Sequence, residues 1–224
     1  MWDQLLQLDP SHSKYQRERA MVFLQKSRLL LQNGQAADAL SAAQSALRLL
    51  DQLSRRDPSN AEWRFGSANG LLCLADALHA LKHWELALAK YHERIEVCEA
   101  LVKMDATNLT WKRGLAISLG RMADMRIERR NLSDAANYLE KARAILEEAH
   151  REAPDSNQVT NDFASVLYSF AKLEGERRRF YLARAMAQRA VQLFGALLKR
   201  GDMDKDLPRR LEASRTLAKS LAQH

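Results

Sequence analysis

Apolar positions in this chain recur at steps of three and four. Between Leu132 and Ala149 they fall at 132, 135, 139, 142, 146 and 149, which is one stripe along one helix. The stripe itself repeats. Trp63 and Trp111 stand 48 residues apart, and one further step back is Tyr15. Ala20, Ala68, Ala116 and Ala164 share a column. So do Phe23, Leu71, Leu119 and Leu167, and so do Ser27, Ala75, Ala123 and Ala171. A fixed period with matched small and large positions is the signature of a repeat architecture, in which each unit covers its neighbour.

Four units follow, at 9–56, 57–104, 105–152 and 153–200. Each predicts two helices. The first pair runs from about Ser13 to Asn33-Gly34 and from Ala36 to Ser54. The next pairs are 60–81 with 84–103, 108–129 with 132–151, and 156–176 with 180–199. Pro10, Pro58 and Pro154 break the chain at the start of the first, second and fourth units, and Ser13-Lys-Tyr-Gln16 and Ser59-Asn-Ala-Glu62 have capping-box spacing. A ninth helix, 207–222, is apolar at Leu207, Leu211, Leu217 and Leu221 and otherwise charged, as an array's closing face must be. Residues 1–8 read as the last turns of a second helix. Trp2 stands in the column of Leu50, Cys98, Leu146 and Phe194, and Leu5 in that of Leu53, Leu101, Ala149 and Leu197. That predicts a chain cut from a longer polypeptide; a natural capping turn is the alternative.

The columns carry a resemblance. Ala75 is followed twelve residues on by Ala87, Ala123 by Ala135, Ala171 by Ala183 and Ser27 by Ala39. A third small position holds Ala46, Ala142 and Ala190, but Arg94 in the second unit. This pattern resembles the tetratricopeptide repeat, whose small residues let paired helices approach closely. The family repeats about every 34 residues, so each helix here is about two turns longer. With Asp-Pro-x-Asn-x-x-Trp at the junction, the long form is similar to repeats appended to larger bacterial signalling proteins. The resemblance implies an all-α, right-handed superhelix of four two-helix repeats with a C-terminal capping helix, forming a single domain. It implies fold more than function.

Composition changes little in that picture. Eight Gly and four Pro leave little material for many short strands, and no run of 18 apolar residues suggests a membrane span. The N-terminus lacks the regions of a secretory signal, and a cytoplasmic location is expected. Cys73 and Cys98 make no disulfide or zinc pattern and read as reduced, inert core residues. The net charge of +7 is unevenly spread: from Lys172 onward there are 13 Lys/Arg against 6 Asp/Glu, and the rest balances.

Candidate chemistry is sparse. His79 and His83 have metal-ligand spacing but no third ligand, and no phosphate loop or nucleophile set is present. No metal, cofactor or enzymatic activity is expected. Lys82, Arg130 and Arg178 end the first helices of their units and read as complements to helix carbonyls; Trp63 and Trp111 read as packing between repeats. The resemblance implies that first helices line a groove. It places Arg28, Asp76, Asp124 and Lys172 there, with Arg17, Asn69, Arg113, Asn161 and Tyr168 nearby. Leu24, Leu72, Gly120 and Tyr168 hold places where a clamp for peptide carboxylates needs other residues. The reading is a protein- or peptide-binding module, the sensing or self-association part of a signalling protein. Trp2, Leu5 and Leu8, next to Phe23 and Leu29, form a candidate homodimer edge. The alternative, a nucleic-acid or acidic-surface binder using the basic C-terminal quarter, ranks second because aromatic interleaving there is thin.

Overall fold

The computed structural model describes residues 12–202 and 204–223; Trp2, Leu5 and Leu8 lie outside them. The described residues form nine α-helices and a terminal 3-10 turn, with no strand among them. The helices are α1 (Ser13–Gln32), α2 (Ala36–Arg56), α3 (Ala61–Ala80), α4 (Trp84–Met104), α5 (Leu109–Glu128), α6 (Leu132–Glu152), α7 (Asn157–Glu176), α8 (Phe180–Lys199) and α9 (Leu207–Ser220). Each of the nine helices read from the sequence between residues 13 and 222 is present, with ends within two residues; the partial helix read at residues 1–8 lies outside the described residues. None is long and apolar enough to cross a membrane.

The helices gather into two compact units, Met1–Ala106 and Thr107–His224, which divide close to the boundary between the second and third repeats. In the first unit each helix packs on the next, and α1 also touches α3. In the second, α5 to α9 pack in succession, and α5 touches α7.

The small columns lie at the helix crossings. Ala75, Ala87, Ala123, Ala135, Ala171 and Ala183 are fully buried, with Leu119 and Leu167 filling the space around them. Ser27 stands where the other repeats place Ala, and it donates its hydroxyl to the Ala39 carbonyl at 2.9 Å, so the buried group is satisfied across the hairpin. Where α2 meets α3, a Cβ on Gly70 would lie 2.9 Å from Leu47 Cδ1 and 3.2 Å from its Cα; glycine sets that approach.

The turn inside each repeat explains the basic column. Lys82, Arg130 and Arg178 have φ of 62°, 60° and 59°, and Gly34 has 75° in the same column. Around each runs the same pair of bonds that closes a helix C-terminus. The Lys82 N–H donates to the His79 carbonyl at 2.8 Å and the His83 N–H to that of Leu78 at 2.9 Å, with matching bonds at the other three turns. The turn is therefore closed by the backbone N–H groups of these residues, in a left-handed conformation that is less favourable for any L-residue than for glycine, so the bonds to the helix carbonyls come from the backbone rather than from the basic side chains.

The capping boxes need correction. The N-cap of α1 is His12, without a side-chain cap bond. At α3 the cap is Asn60, which accepts from the Trp63 N–H at 3.1 Å. Ser59 is taken instead by the Asp57 carboxylate, which accepts from both its hydroxyl and its N–H. Asn108 and Ser156 cap α5 and α7 as Asn60 caps α3.

Candidate functional site

In the second unit the inner faces of α5, α7 and α9 border a cavity of about 550 Å³. Gly120, Arg121 and Asp124 line it from α5; Asn161, Asp162, Ser165 and Ser169 from α7; Arg209 and Arg210 from α9. A Cβ built on Gly120 meets nothing within 4 Å, so this position faces open space in the groove. Leu207, Leu211 and Leu221 are buried and fix α9 in place.

Arginines hold the polar groups of that groove. Arg113 on α5 donates through Nε to Asp162 Oδ2 at 2.7 Å and through Nη1 to Gln158 Oε1 at 2.6 Å. Arg210 donates to Asn161 Oδ1 at 2.8 Å and pairs with Asp204 at 3.1 Å. Burial pushes the Asp162 carboxyl above the usual carboxylate range, against the pull of Arg113 and Arg210. Arg121 lies 3.9 Å from Asp124 at the rim. The result is a groove of fixed, alternating charge, suited to an extended polar chain with both donors and acceptors.

The first unit has a different centre. Arg94 on α4 is 1% exposed, although its column holds Ala in every other repeat. Its Nε donates to the Ala68 carbonyl at 3.0 Å. Burial pulls its pKa below the ordinary arginine value, opposed by Cys98 and by the Asp76 carboxylate, with Cys73 and Arg28 also near. Tyr91, one turn before Arg94, donates its hydroxyl to Asp76 at 2.5 Å. Burial raises the pKa of the Cys73 thiol; Arg28 lowers it by charge and by a hydrogen bond. Cys73 and Cys98 are free, buried thiols.

The sequence-derived groove residues thus separate. Arg28 and Asp76 meet at the Arg94 cluster. Asp124 and Asn161 line the second unit's cavity, and Arg113 reaches it through Asp162. Lys172 lies 5.9 Å from the Tyr168 ring centroid, further along α7. Arg17 pairs with Glu18 at 3.8 Å on the surface of α1, and Asn69 is half-buried. Arg121, Asp162, Ser165 and Ser169 were missed. They stand three or four residues from Asp124 and Asn161 or from one another, so reading the whole helix face would have found them. His79 packs 5.2 Å from the Trp84 ring. Among the described residues, no group of three His, Cys, Asp or Glu could hold a metal ion.

No protein-family model matches this chain, and no curated protein matches it. Among solved structures it is similar to the apo form of RapI, at 14% identity and a TM-score of 0.57, covering 92% of this chain and 82% of that one. It also matches a thermophilic TPR protein of Thermus thermophilus, at 17% identity and a TM-score of 0.39, covering 85% of this chain and 99% of that one. The likeness to RapI shows the fold alone: helical repeats built as two-helix units.

Proposed function

We propose that this chain is a non-catalytic interaction module that binds an extended peptide in the groove between α5, α7 and α9. The observation that carries the reading is the cavity that Gly120 faces, walled by arginine-held carboxylate and amide groups. Alternating donors and acceptors on rigid helices fix a peptide's register at low ordering cost. The signalling-protein context rests on the junction motif alone. The test is a peptide library selected on the full chain. Gly120→Phe fills the groove without a helix-propensity penalty, since Gly is the poorer helix former. Selected peptides should bind this variant at least about tenfold more weakly, by about 1.4 kcal/mol. Equal binding by a folded Gly120→Phe protein overturns the reading.

A second proposal concerns self-association at α1. Val22 shares its column with Gly70, Ser118 and Val166, and Leu29 with Ala77, Met125 and Leu173. The six later residues are buried, whereas Val22 is 53% and Leu29 56% exposed. An isologous dimer through this face, joined by Trp2, Leu5 and Leu8, would cover it on both copies. Leu29→Glu and Leu5→Glu should then shift sedimentation toward monomer, while Arg209→Glu/Arg210→Glu should not. The reverse result, or a monomeric parent chain, removes the proposal.

A further inference from the structure

The turn joining α7 to α8 carries Arg177, Arg178 and Arg179, followed by Tyr181 and Arg184. The neighbouring turn, from α5 to α6, carries Arg129 and Arg130. Arg130 reaches Glu176 at 3.7 Å, so the two turns stand side by side. Glu174 is 1% exposed on its side chain and takes Arg177 at 2.7 Å and, at 3.5 Å, Arg179, which is itself 57% exposed. One buried carboxylate thus serves two arginines, and this end of the unit keeps a positive excess.

Two features exceed what packing asks of this turn. Gly34 shows that glycine fits the left-handed position, yet Arg130 and Arg178, like Lys82 in the first unit, occupy it with exposed side chains, at φ 60° and 59°; among the described residues, only here do two such arginines stand side by side. Each endures a conformation less favourable for an L-residue than for glycine. Tyr181 is 91% exposed, and its column otherwise holds Ala37, Glu85 and Ser133. Both faces of its ring are open. The first turns of α2, α4 and α6 carry Asp38, Glu85 and Asp134, whereas that of α8 has no acidic residue.

We propose that this edge of the second unit binds single-stranded nucleic acid, with a base stacked on Tyr181 and backbone phosphates on Arg130, Arg178 and Arg184. Exposed arginines beside an exposed ring are the elements of such sites: charge follows the backbone, and a π-face accepts any base. A lipid surface fits less well, because one ring with Leu182 at 38% exposed offers little apolar surface to insert. This site is separate from the peptide groove and does not depend on it.

The test is fluorescence anisotropy of a labelled oligouridylate of about 15 nucleotides against the full chain at about 50 and 200 mM salt. Tyr181→Ala should weaken binding roughly 5- to 100-fold with an unchanged salt slope. Arg130→Gly/Arg178→Gly should weaken binding and lower the slope by about 0.7 for each phosphate no longer neutralised. Glycine suits both backbones, so this variant should melt no lower than the parent; weaker binding with undiminished stability is a result that a structural role for these arginines would not give. Lys199→Gln, outside the edge, should bind as the parent. The proposal is overturned by absent binding at low salt, by equal losses at Lys199 and Arg178, or by binding confined to phosphatidylserine vesicles.

Discussion

The second and third repeats handle charge in opposite ways, although they share a column plan. The second buries its charge at the helix crossing: Arg94, with Tyr91 and Asp76 beside it. The third has Ala142 and Leu139 in those columns, both fully buried. It places charge near the helix ends instead. Lys112, 5% exposed, donates to Glu148 at 2.8 Å and to Glu152 at 3.0 Å. The second repeat has Arg64, Ala100 and Met104 there, and Arg64 Nη1 lies 3.3 Å from the Met104 sulfur. A repeat frame fixes backbone and crossing distance; it does not fix where a polar group is tolerated. An intruding charge is tolerated only when neighbouring columns change with it.

The sharpest way to break the comparison is to move the charge alone. Ala142→Arg puts a guanidinium at the third repeat's crossing without a tyrosine to order Asp124, and should cost about 4 kcal/mol or more in urea unfolding. A variant as stable as the parent would show that the crossing accepts arginine unaided.

Next, Asp76→Ala strands the buried Arg94 charge and should cost about 3 kcal/mol. Asp76→Leu/Arg94→Met removes both charges and should lose less than that single substitution, because the uncompensated cation is gone. If the double variant is the less stable, Arg94 holds its crossing by more than its own neutralisation. Leu-for-Ala substitution tests the shared part of the plan. Ala75→Leu and Ala123→Leu should each overpack their crossings by about 1–3 kcal/mol, equally in both repeats.

Much of this was legible in the sequence because period and size are strong signals. The 48-residue spacing located the eight helices of the four repeats, and the buried alanines at 75, 87, 123 and 135 stand where the columns put them. Arg94 was visible as a departure, but its network was not. Asp76 and Tyr91 lie 18 and 3 residues away, on a partner helix and one turn back, and only the crossing brings them together. The left-handed turn at Gly34 was legible from its glycine, but those at Lys82, Arg130 and Arg178 were missed for another reason. Glycine is the expected residue there, so basic residues suggested helix-end charge. In the groove, Asp124 and Asn161 followed from the column argument, whereas α9 contributes Arg209 and Arg210 from outside the four-repeat plan.

The smallest expected effect belongs to Lys112. Burial would lower its pKa, but hydrogen bonds and charge from Glu148 and Glu152 outweigh that and raise it. The Glu148 carboxyl is held below the usual range, first by the hydrogen bond from Lys112 and then by its charge. A depressed folded pKa contributes stability above the unfolded value of about 4.3 and loses it as pH falls through the folded one. A raised lysine contributes below about 10.4 and loses that contribution as pH rises through its folded value. Lys112→Met should therefore flatten the parent's loss of Tm below about pH 5 and its loss above about pH 10, with little change in slope between. Glu148 is 54% exposed on its side chain, so solvent screening keeps its contribution small. Arg64→Met in the second repeat, where Ala100 and Met104 offer no carboxylate, should leave both flanks of the pH profile in place. If Arg64→Met flattens the acid flank as much as Lys112→Met does, that flank does not come from the charge pairing of the third repeat.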